Sequence, residues 1–352
     1  MKNKTLNTFF VPNELKELND SRNGNMSETY GIHTIKINEN HRESDIQYFK
    51  LDKATTVINL DITLNEDFII NLGSKDNDLI YFVYCSNGKS YYKSNNSDKF
   101  KRIEELQPGI ICTHENNTSQ INIKKDTSLS LNIIKLNKKL FFKSFDNGVF
   151  NSTLEFEKLS NAFNTIRTYL YLSAFNIKIA EQLRITEQHF KANSITDLIH
   201  LKSHYHHIIA LQMEQFYKEV FEQRSSASLS KSELKKIIDL TGFISQSPET
   251  QHTVGNLCKR ISMSPAKLQE GFKEMHNTTV ADFVRNKRIE KAEFLLNETE
   301  LNISEIVYTI GLTSRSYFCK IFKKKYDCSP KKYRKLKSNR LESSKQLASG
   351  FV

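Results

Sequence analysis

Two kinds of hydrophobic periodicity divide the chain. In the first part, short runs of alternating apolar and polar residues recur between turn residues, and this period-two pattern predicts half-buried strands. The runs begin at Ile32, Ile46, Thr56, Leu79, Ile121 and Leu129. Residues 86–89 and 106–109 have the composition of turns. We therefore expect an antiparallel β-sandwich or β-barrel over residues 27–147.

A helical segment is predicted next, because residues 149–241 contain neither glycine nor proline. Ser152 and Glu155 have the spacing of a capping box at its start. Within residues 196–224, polar Gln212 interrupts an apolar stripe at helical spacing, formed by Leu198, Leu201, Tyr205, Ile208, Ile209, Phe216 and Val220. The stripe fits two arrangements equally well, packing on its own domain or a seam between subunits. We expect a homodimer.

From Ser230 onward, the chain nearly repeats a unit of two short helices joined by a tight turn. The apolar positions of the two copies match at an offset of 49 residues, which becomes 50 after the turn: Val254, Leu257, Ile261, Leu268 and Phe272 correspond to Ile303, Ile306, Ile310, Phe318 and Phe322. Ser264 and Ser314 are placed to cap the second helix of each copy, and Pro265 suits a first helical turn. The repeat predicts two helix-turn-helix units.

Residues 279–297, between the copies, form an uninterrupted helical pattern. A helix of about 19 residues is roughly 28 Å long. That length could separate two recognition helices by about one turn of DNA, roughly 34 Å. Both helices could then enter successive major grooves on one face of a duplex.

The net charge of +11 is concentrated at the C-terminal end of the chain. Residues 251–352 hold 20 Lys and Arg against 10 Asp and Glu, whereas residues 1–250 hold 31 against 30. A basic excess confined to one region predicts a polyanionic partner, most often nucleic acid. No apolar run approaches the roughly 18 to 20 residues that cross a bilayer, and the N-terminus lacks the apolar core of a secretory signal. We therefore expect no membrane partner and a cytoplasmic, nucleoid-associated protein.

Neither the cysteines nor the histidines have the spacing of metal ligands. The five cysteines include no Cys-x-x-Cys pair. His200, His204 and His207 share one helix face, but no carboxylate or cysteine accompanies them at metal-site spacing. We interpret that face as solvated, and we expect no metal, no cofactor and no catalytic residue.

Residues 230–338 resemble the DNA-binding domain of the AraC/XylS family of bacterial transcription regulators. The residues that carry the resemblance are Ser264-Pro265, Leu268, Phe272-Lys273, Arg288, Ala292, Leu295-Leu296, residues 303–306, Gly311-Leu312, residues 316–318, Phe322-Lys323, Ser329-Pro330 and Tyr333-Arg334. The chain departs from the family pattern at four positions. Glycine is usual where Ser262, Asn277 and Asp327 stand, and phenylalanine is common where Leu312 stands.

This resemblance implies an N-terminal cupin-like sensor domain followed by dimerising helices. It also implies promoter DNA, RNA polymerase and a small-molecule effector as partners. Residues 106–111 resemble a cupin turn and strand. Metal-dependent cupins use a His-x-His pair, and His33, His41 and His114 are not so spaced, so a metal oxygenase is not expected.

The outward positions of the second helix in each unit are the candidate base-reading residues. They are Ala266, Lys267, Gln269 and Glu270 in the first unit, and Arg315, Ser316, Cys319 and Lys320 in the second. Gln269 suits adenine, Glu270 suits cytosine, and Arg315 and Lys320 suit guanine. The candidates for phosphate contact are Lys273, Lys323, Lys324 and Lys325. For each residue alone, phosphate contact or plain solvent exposure is the alternative.

The predicted fold is a multidomain α+β chain: a β-rich cupin-like barrel or sandwich, central helices and an all-α double helix-turn-helix. The predicted segments are an N-terminal extension (1–26), the sensor domain (27–147), a helical dimerisation region (148–225), the DNA-binding domain (226–340) and a tail (341–352).

The predicted function is that of a sequence-specific DNA-binding transcription regulator, and not an enzyme. Two alternatives stay open, an enzyme that uses the C-terminal domain for delivery to DNA and a sequence-independent nucleoid protein. A methyl-transfer enzyme of the DNA-alkylation response needs four clustered cysteines. Residues 1–150 hold only Cys85 and Cys112.

Overall fold

The chain divides into two compact units, residues 1–228 and residues 229–352. The computed structural model describes residues 4–7, 19–20, 22–39, 42–72, 78–95, 99–112, 119–145, 154–165, 170–187, 194–223 and 229–335. In this part of the chain, no helix is both long enough and apolar enough to cross a membrane.

The first unit is built on two β-sheets. Its strands are β1 (Lys4–Asn7), β2 (Asn25–Thr29), β3 (Ile32–Glu39), β4 (Arg42–Lys50), β5 (Thr55–Thr63), β6 (Phe68–Leu72), β7 (Leu79–Asn87), β8 (Ser90–Ser94), β9 (Lys101–Ile103), β10 (Pro108–Cys112), β11 (Ser119–Ile123), β12 (Ser128–Asn137) and β13 (Tyr171–Leu172). One sheet has the strand order β1-β6-β11-β8-β9, and the other has the order β13-β10-β7-β12-β5-β4-β3-β2. Among the described strands, only β1 and β6 pair in parallel.

The core of this unit lies between the two sheets. Alternation along each strand directs one set of apolar side chains inward, so Ile35, Ile58 and Ile133 of the larger sheet join Ile70 and Ile121 of the smaller one. All five side chains are fully buried, and each such burial stabilises the fold by about 1.5 to 3 kcal/mol relative to exposure. The sandwich alternative is therefore confirmed. The barrel alternative is wrong, because the described strands form two separate sheets that do not close on each other.

All six strands predicted from alternation are present, as β3, β4, β5, β7, β11 and β12. Strand β10 overlaps residues 106–111, which resemble a cupin turn and strand. The other strands were missed because they are short, with three to five residues in β6, β8 and β9. Residues 4–7, inside the predicted N-terminal extension, add a strand to the smaller sheet.

Helices cover the outer face of the larger sheet. They are α1 (Lys138–Ser144), α2 (Leu154–Thr165), α3 (Ile177–Glu187) and α4 (Ile195–Phe221). The ring of Tyr205 on α4 packs edge-to-face on Phe49, and Phe216 stacks on Phe163, with centroid distances of 5.3 and 5.1 Å. The apolar stripe of α4 therefore packs on its own unit, which is one of the two arrangements that its pattern allowed.

The segment without glycine and proline is not helical throughout. Leu172 and Tyr171 pair antiparallel with Gly109 and Ile110 and extend the larger sheet. Gly109 makes this close approach possible, because a β-carbon there would lie 2.8 Å from Val83 and 3.3 Å from Leu172. The helical prediction is wrong at this point because a sheet edge outweighs local propensity. Ser152 of the predicted capping box lies outside the described residues.

The second unit is helical in its described part. Its helices are α5 (Lys231–Gln246), α6 (Val254–Ile261), α7 (Pro265–His276), α8 (Val280–Glu298), α9 (Ile303–Thr309) and α10 (Arg315–Tyr326). Ser230 and Glu233 form a capping box at the start of α5. Thr279 caps α8, so the observed linker helix matches the predicted one within a residue at each end.

Candidate nucleic-acid interface

The two predicted helix-turn-helix units are present as α6–α7 and α9–α10. Ser264 Oγ accepts a hydrogen bond from the Lys267 amide at 3.4 Å, and Ser314 Oγ accepts one from the Tyr317 amide at 3.2 Å. These caps satisfy amides at the helix start that have no partner within the helix. The local signals for both second helices are therefore confirmed.

Left-handed backbone ends several of these helices, although the residues are not glycine. Asn277 and Asp327, at the ends of α7 and α10, have φ of 54° and 56°. Asn and Asp tolerate this conformation, so these two departures from glycine are mild. Ser262 in the first turn has φ of 50°, a conformation that is uncommon for serine. In the second turn, Gly311 has φ of 73°.

Helix α8 shares a core with the second helix pair. Ile289 and Leu296 of α8 pack with Ile306 of α9 and with Phe318 and Phe322 of α10. All five are buried. Because the recognition helix and the linker helix share side-chain contacts, the orientation of α10 is fixed relative to α8.

The first helix pair rests on α5 and α8 instead. Gly271 of α7 lies so close to α5 that a β-carbon there would stand 2.5 Å from Ile237. Phe272 of α7 packs edge-to-face on Phe283 of α8, with a centroid distance of 5.4 Å. Both recognition helices are therefore attached to the same linker helix.

Arg288 of α8 braces the two helix pairs together. Its Nε donates to the Pro248 carbonyl at 2.7 Å, and its Nη2 donates to the Thr250 carbonyl at 2.8 Å. Its Nη1 donates to the Gly311 carbonyl at 3.1 Å. One guanidinium thus joins the loop before α6 to the turn between α9 and α10, and only arginine has donors in such a fork.

The basic side chains predicted on α10 lie on its exposed surface. Arg315, Ser316 and Lys320 are exposed, and Ser316 and Lys320 lie on the side of the helix opposite the buried Phe318 and Phe322. Lys323, Lys324 and Lys325 are also exposed, and they form a basic last turn. Lys325 Nζ pairs with Glu290 of α8 at 2.8 Å.

On α7, the predicted residues Ala266, Glu270 and Lys273 are exposed. Lys267 is exposed too, but its ammonium pairs with Glu233 of α5 at 2.5 Å. Hydrogen bonds from Lys267 and then from the Ser230 amide and hydroxyl lower the pKa of the Glu233 carboxyl to about 2. The first recognition helix therefore presents a weaker positive charge than the second.

Two predicted base-reading residues have contacts inside the protein. Gln269 is half-buried, and its Oε1 accepts a hydrogen bond from the Val280 amide at 3.2 Å, which satisfies the first turn of α8. Cys319 is half-buried and packs against the core formed by α8, α9 and α10. Gln269 and Cys319 therefore lie at the edges of the exposed surfaces of α7 and α10.

Two exposed tyrosines were not among the DNA-contact candidates predicted from the sequence. Tyr308 on α9 is 84% exposed and Tyr317 on α10 is 45% exposed, beside Arg315 and Ser316 in the chain. The signal was available, because both residues lie off the apolar faces of their helices. A tyrosine hydroxyl and ring edge can contact phosphate or the apolar edge of a base.

Metal chemistry has no support in the described part of the chain. No group of three or more His, Cys, Asp and Glu residues there could hold a metal ion. His204 Nδ1 lies 3.1 Å from the amide oxygen of Gln182. His41 and His114 lie outside the described residues.

Comparisons with known proteins show what this region is similar to. Residues 257–336 match the family model described as a helix-turn-helix domain. The xylose operon regulatory protein of Escherichia coli K12 is 36% identical over 85 residues, which cover 24% of this chain and 22% of that protein. The transcriptional activator RhaR of Mannheimia succiniciproducens is 25% identical over 103 residues, which cover 29% of this chain and 37% of that protein. The chain thus spans less than two fifths of either relative.

Solved structures give similar matches. The C-terminal domain of the response regulator yesN from Fusobacterium nucleatum is 33% identical and covers 28% of this chain and 96% of that one, with a TM-score of 0.26. The apo form of a ToxT variant from Vibrio cholerae is 12% identical and covers 81% of this chain and 98% of that one, with a TM-score of 0.31.

Proposed function

We propose that this chain, which carries an AraC-type helix-turn-helix domain near its C-terminus, is a sequence-specific DNA-binding regulator of transcription. The observation that carries the proposal is the pair of capped recognition helices, α7 and α10, both packed on the linker helix α8. A 19-residue helix is about 28 Å long, close to the spacing of successive major grooves.

The second helix pair supplies most of the sequence reading in this proposal. Arg315 and Lys320 are long, exposed donors that suit guanine O6 and N7 in the major groove. Ser316 and Tyr317 border them on the same helix. Lys323 and Lys324 follow toward the helix end and neutralise phosphates, which supplies affinity without sequence information.

The first helix pair contributes contacts of a different kind. Ala266 and Glu270 face solvent on α7, and Glu270 suits the cytosine amino group. Lys273 is available to phosphate, whereas Lys267 has to leave Glu233 before it can bind DNA. Gln269 and Cys319 take secondary roles, since both are half-buried.

The N-terminal unit acts in this proposal as the cupin-like sensor and the dimerisation unit. Its helix α4 exposes Ile195 and Ile199, each 59% exposed and one turn apart. A second copy of the chain would cover this apolar pair. RNA polymerase is the further partner that such a regulator contacts at a promoter.

Protection footprinting with the full-length protein tests the proposal. The two substrates are the DNA upstream of its own gene and randomly sheared genomic fragments. A sequence-specific regulator protects discrete sites of one to two helical turns. A sequence-independent nucleoid protein protects all fragments alike, and that outcome would contradict the proposal. Discrete protection combined with chemical modification of the DNA would instead support the delivery of an enzyme.

A further inference from the structure

A polar cavity lies on the outer face of the larger sheet, and therefore outside the core of the sandwich. Its volume is about 600 Å³, within the range of roughly 300 to 1,000 Å³ that is typical of small-molecule sites. Strands β2, β3, β4, β5, β7 and β12 form its floor. The last turn of α3 and Tyr205 of α4 form its wall.

The charge of this cavity is mostly negative. Its lining includes three carboxylates, those of Asp45, Asp61 and Glu187, against one ammonium, that of Lys36. Three negative charges and one positive charge leave a formal charge of −2. The remaining polar groups are hydroxyls and amides, which are neutral.

Glu187 is placed where its negative charge is unfavourable. It is the last residue of α3, at the end of the helix that carries partial negative charge. Glu187 is exposed as a residue, but partial burial of its carboxyl, and then the charge of Asp61, raise the pKa of that carboxyl above the ordinary value. Arg184 lies near, but its guanidinium already holds Glu181 with two hydrogen bonds of 2.8 Å. A bound cation would offset the repulsion between Glu187 and Asp61.

A series of hydrogen bonds lies at the base of the cavity. The Tyr205 hydroxyl accepts a hydrogen bond from Asn59 Nδ2 at 2.6 Å. Asn59 Oδ1 in turn accepts from Asn132 Nδ2 at 2.5 Å.

The series of hydrogen bonds ends at Asn132, whose side-chain oxygen has no donor among the described residues. Asn132 is 3% exposed and lines the cavity, and its Oδ1 receives no hydrogen bond from the residues that the structure describes. Since Asn132 donates to Asn59 through its Nδ2, the atom left without a partner is its Oδ1, which is an acceptor. A buried polar group without a partner is unfavourable, which indicates that a donor from outside the protein completes the site.

We propose that this cavity binds a small organic cation, whose ammonium or guanidinium group lies between Asp61 and Glu187 and donates to Asn132. The net negative charge of the lining favours such a ligand, and it would repel a carboxylate or phosphate. Under the proposed function the cation would be the effector, and only that regulatory role rests on the proposed function. Binding itself does not.

Calorimetric titration of the full-length protein without DNA tests this site. The probes are agmatine and 1,4-diaminobutane, with xylose as the neutral polyol and succinate as the anion. We expect saturable binding of at least one cation, a higher melting temperature in its presence, and no binding of xylose or succinate. Asp61→Asn and Glu187→Gln should each weaken cation binding about tenfold, because each removes a charge-assisted contact.

The matched control is Glu66→Gln, since Glu66 is an exposed carboxylate of the same unit outside the cavity lining. It should leave the affinity unchanged. The proposal is overturned if neither cation binds at concentrations up to about 10 mM. It is also overturned if xylose binds instead, or if Glu66→Gln weakens cation binding as much as Glu187→Gln. None of these results bears on DNA footprints, so failure here is distinguishable from failure of the proposed function.

Discussion

The Cα of Gly311 lies so close to the carbonyl oxygen of Glu249 that a β-carbon on Gly311 would stand 2.0 Å from that oxygen. Glu249 belongs to the loop before α6, and Gly311 forms the turn between α9 and α10. Lys291 of α8 holds the Glu249 carboxylate at 2.7 Å. This contact, together with the Arg288 hydrogen bonds, joins the first helix pair to the second.

Replacing Gly311 with alanine should therefore destabilise the helical unit of residues 229–352. The left-handed φ of 73° and the close approach together predict a loss of about 2 to 3 kcal/mol in the free energy of unfolding. Urea denaturation measures this value. Gly255→Ala is the control, because a β-carbon there meets nothing within 4 Å and the helix should gain about 0.5 to 1 kcal/mol. Equal effects of the two substitutions would contradict the argument.

Arg288→Lys should weaken DNA binding without removing any residue of the exposed face. Lysine cannot reach three carbonyls at once, so the orientation between the helix pairs loosens. We expect about a tenfold loss of affinity for a selected duplex, equivalent to one or two hydrogen bonds. Fluorescence anisotropy measures the affinity. Arg285→Lys, one turn earlier on α8, is the control and should bind normally. Normal binding by Arg288→Lys would show that the brace has no role in DNA recognition.

The ion pair of Glu233 with Lys267 predicts a pH dependence with a definite sign. Because the pKa of Glu233 is lowered from 4.5 to about 2, its stabilising contribution is complete above pH 4.5 and is lost as the pH falls toward 2. The difference in stability between the native protein and Glu233→Gln should shrink over that range. Urea denaturation between about pH 7 and pH 3 measures it. Glu300→Gln is the control. A difference that grows with acidity would contradict the prediction.

Sedimentation of the full-length protein at tens of micromolar tests dimerisation through α4. We expect a dimer that the double substitution Ile195→Glu and Ile199→Glu converts to a monomer, since charge on an apolar seam disfavours association. Phe294→Glu is the control, because Phe294 is equally exposed, at 60%, but lies in the other unit. If the native protein is a monomer, or if the double variant remains a dimer, Ile195 and Ile199 do not form the dimer interface.

The features that the sequence predicted well depend on local interactions. Ser264 and Ser314 cap helices within three residues, and Asn277 and Asp327 end them through their own backbone tolerance. The strands with clear alternation were predicted for the same reason, since neighbouring positions decide which face is buried.

The features that the sequence did not reveal depend on residues far apart in the chain. The contact between Asn59 and Tyr205 joins residues 146 positions apart, and it lies where the α4 stripe packs on its own sheet. The bond from Val280 to Gln269 likewise joins two helices, and the three bonds of Arg288 join α8 to a loop and a turn 23 to 40 positions away. Helical periodicity shows which face is apolar and not what covers it.

Affinity for a specific and a scrambled duplex, measured for three variants, tests sequence reading by α10 most directly. In vitro selection from random duplexes with the native protein supplies the specific site. Arg315→Ala and Lys320→Ala should each lose about 1 to 3 kcal/mol on the specific site and much less on the scrambled one. Lys323→Ala should weaken binding to both duplexes equally. It should also reduce the slope of log affinity against log salt concentration by about one, the loss of one phosphate contact. Equal losses on both duplexes for Arg315→Ala and Lys320→Ala would make those residues phosphate contacts and would contradict the assignment of base reading to α10.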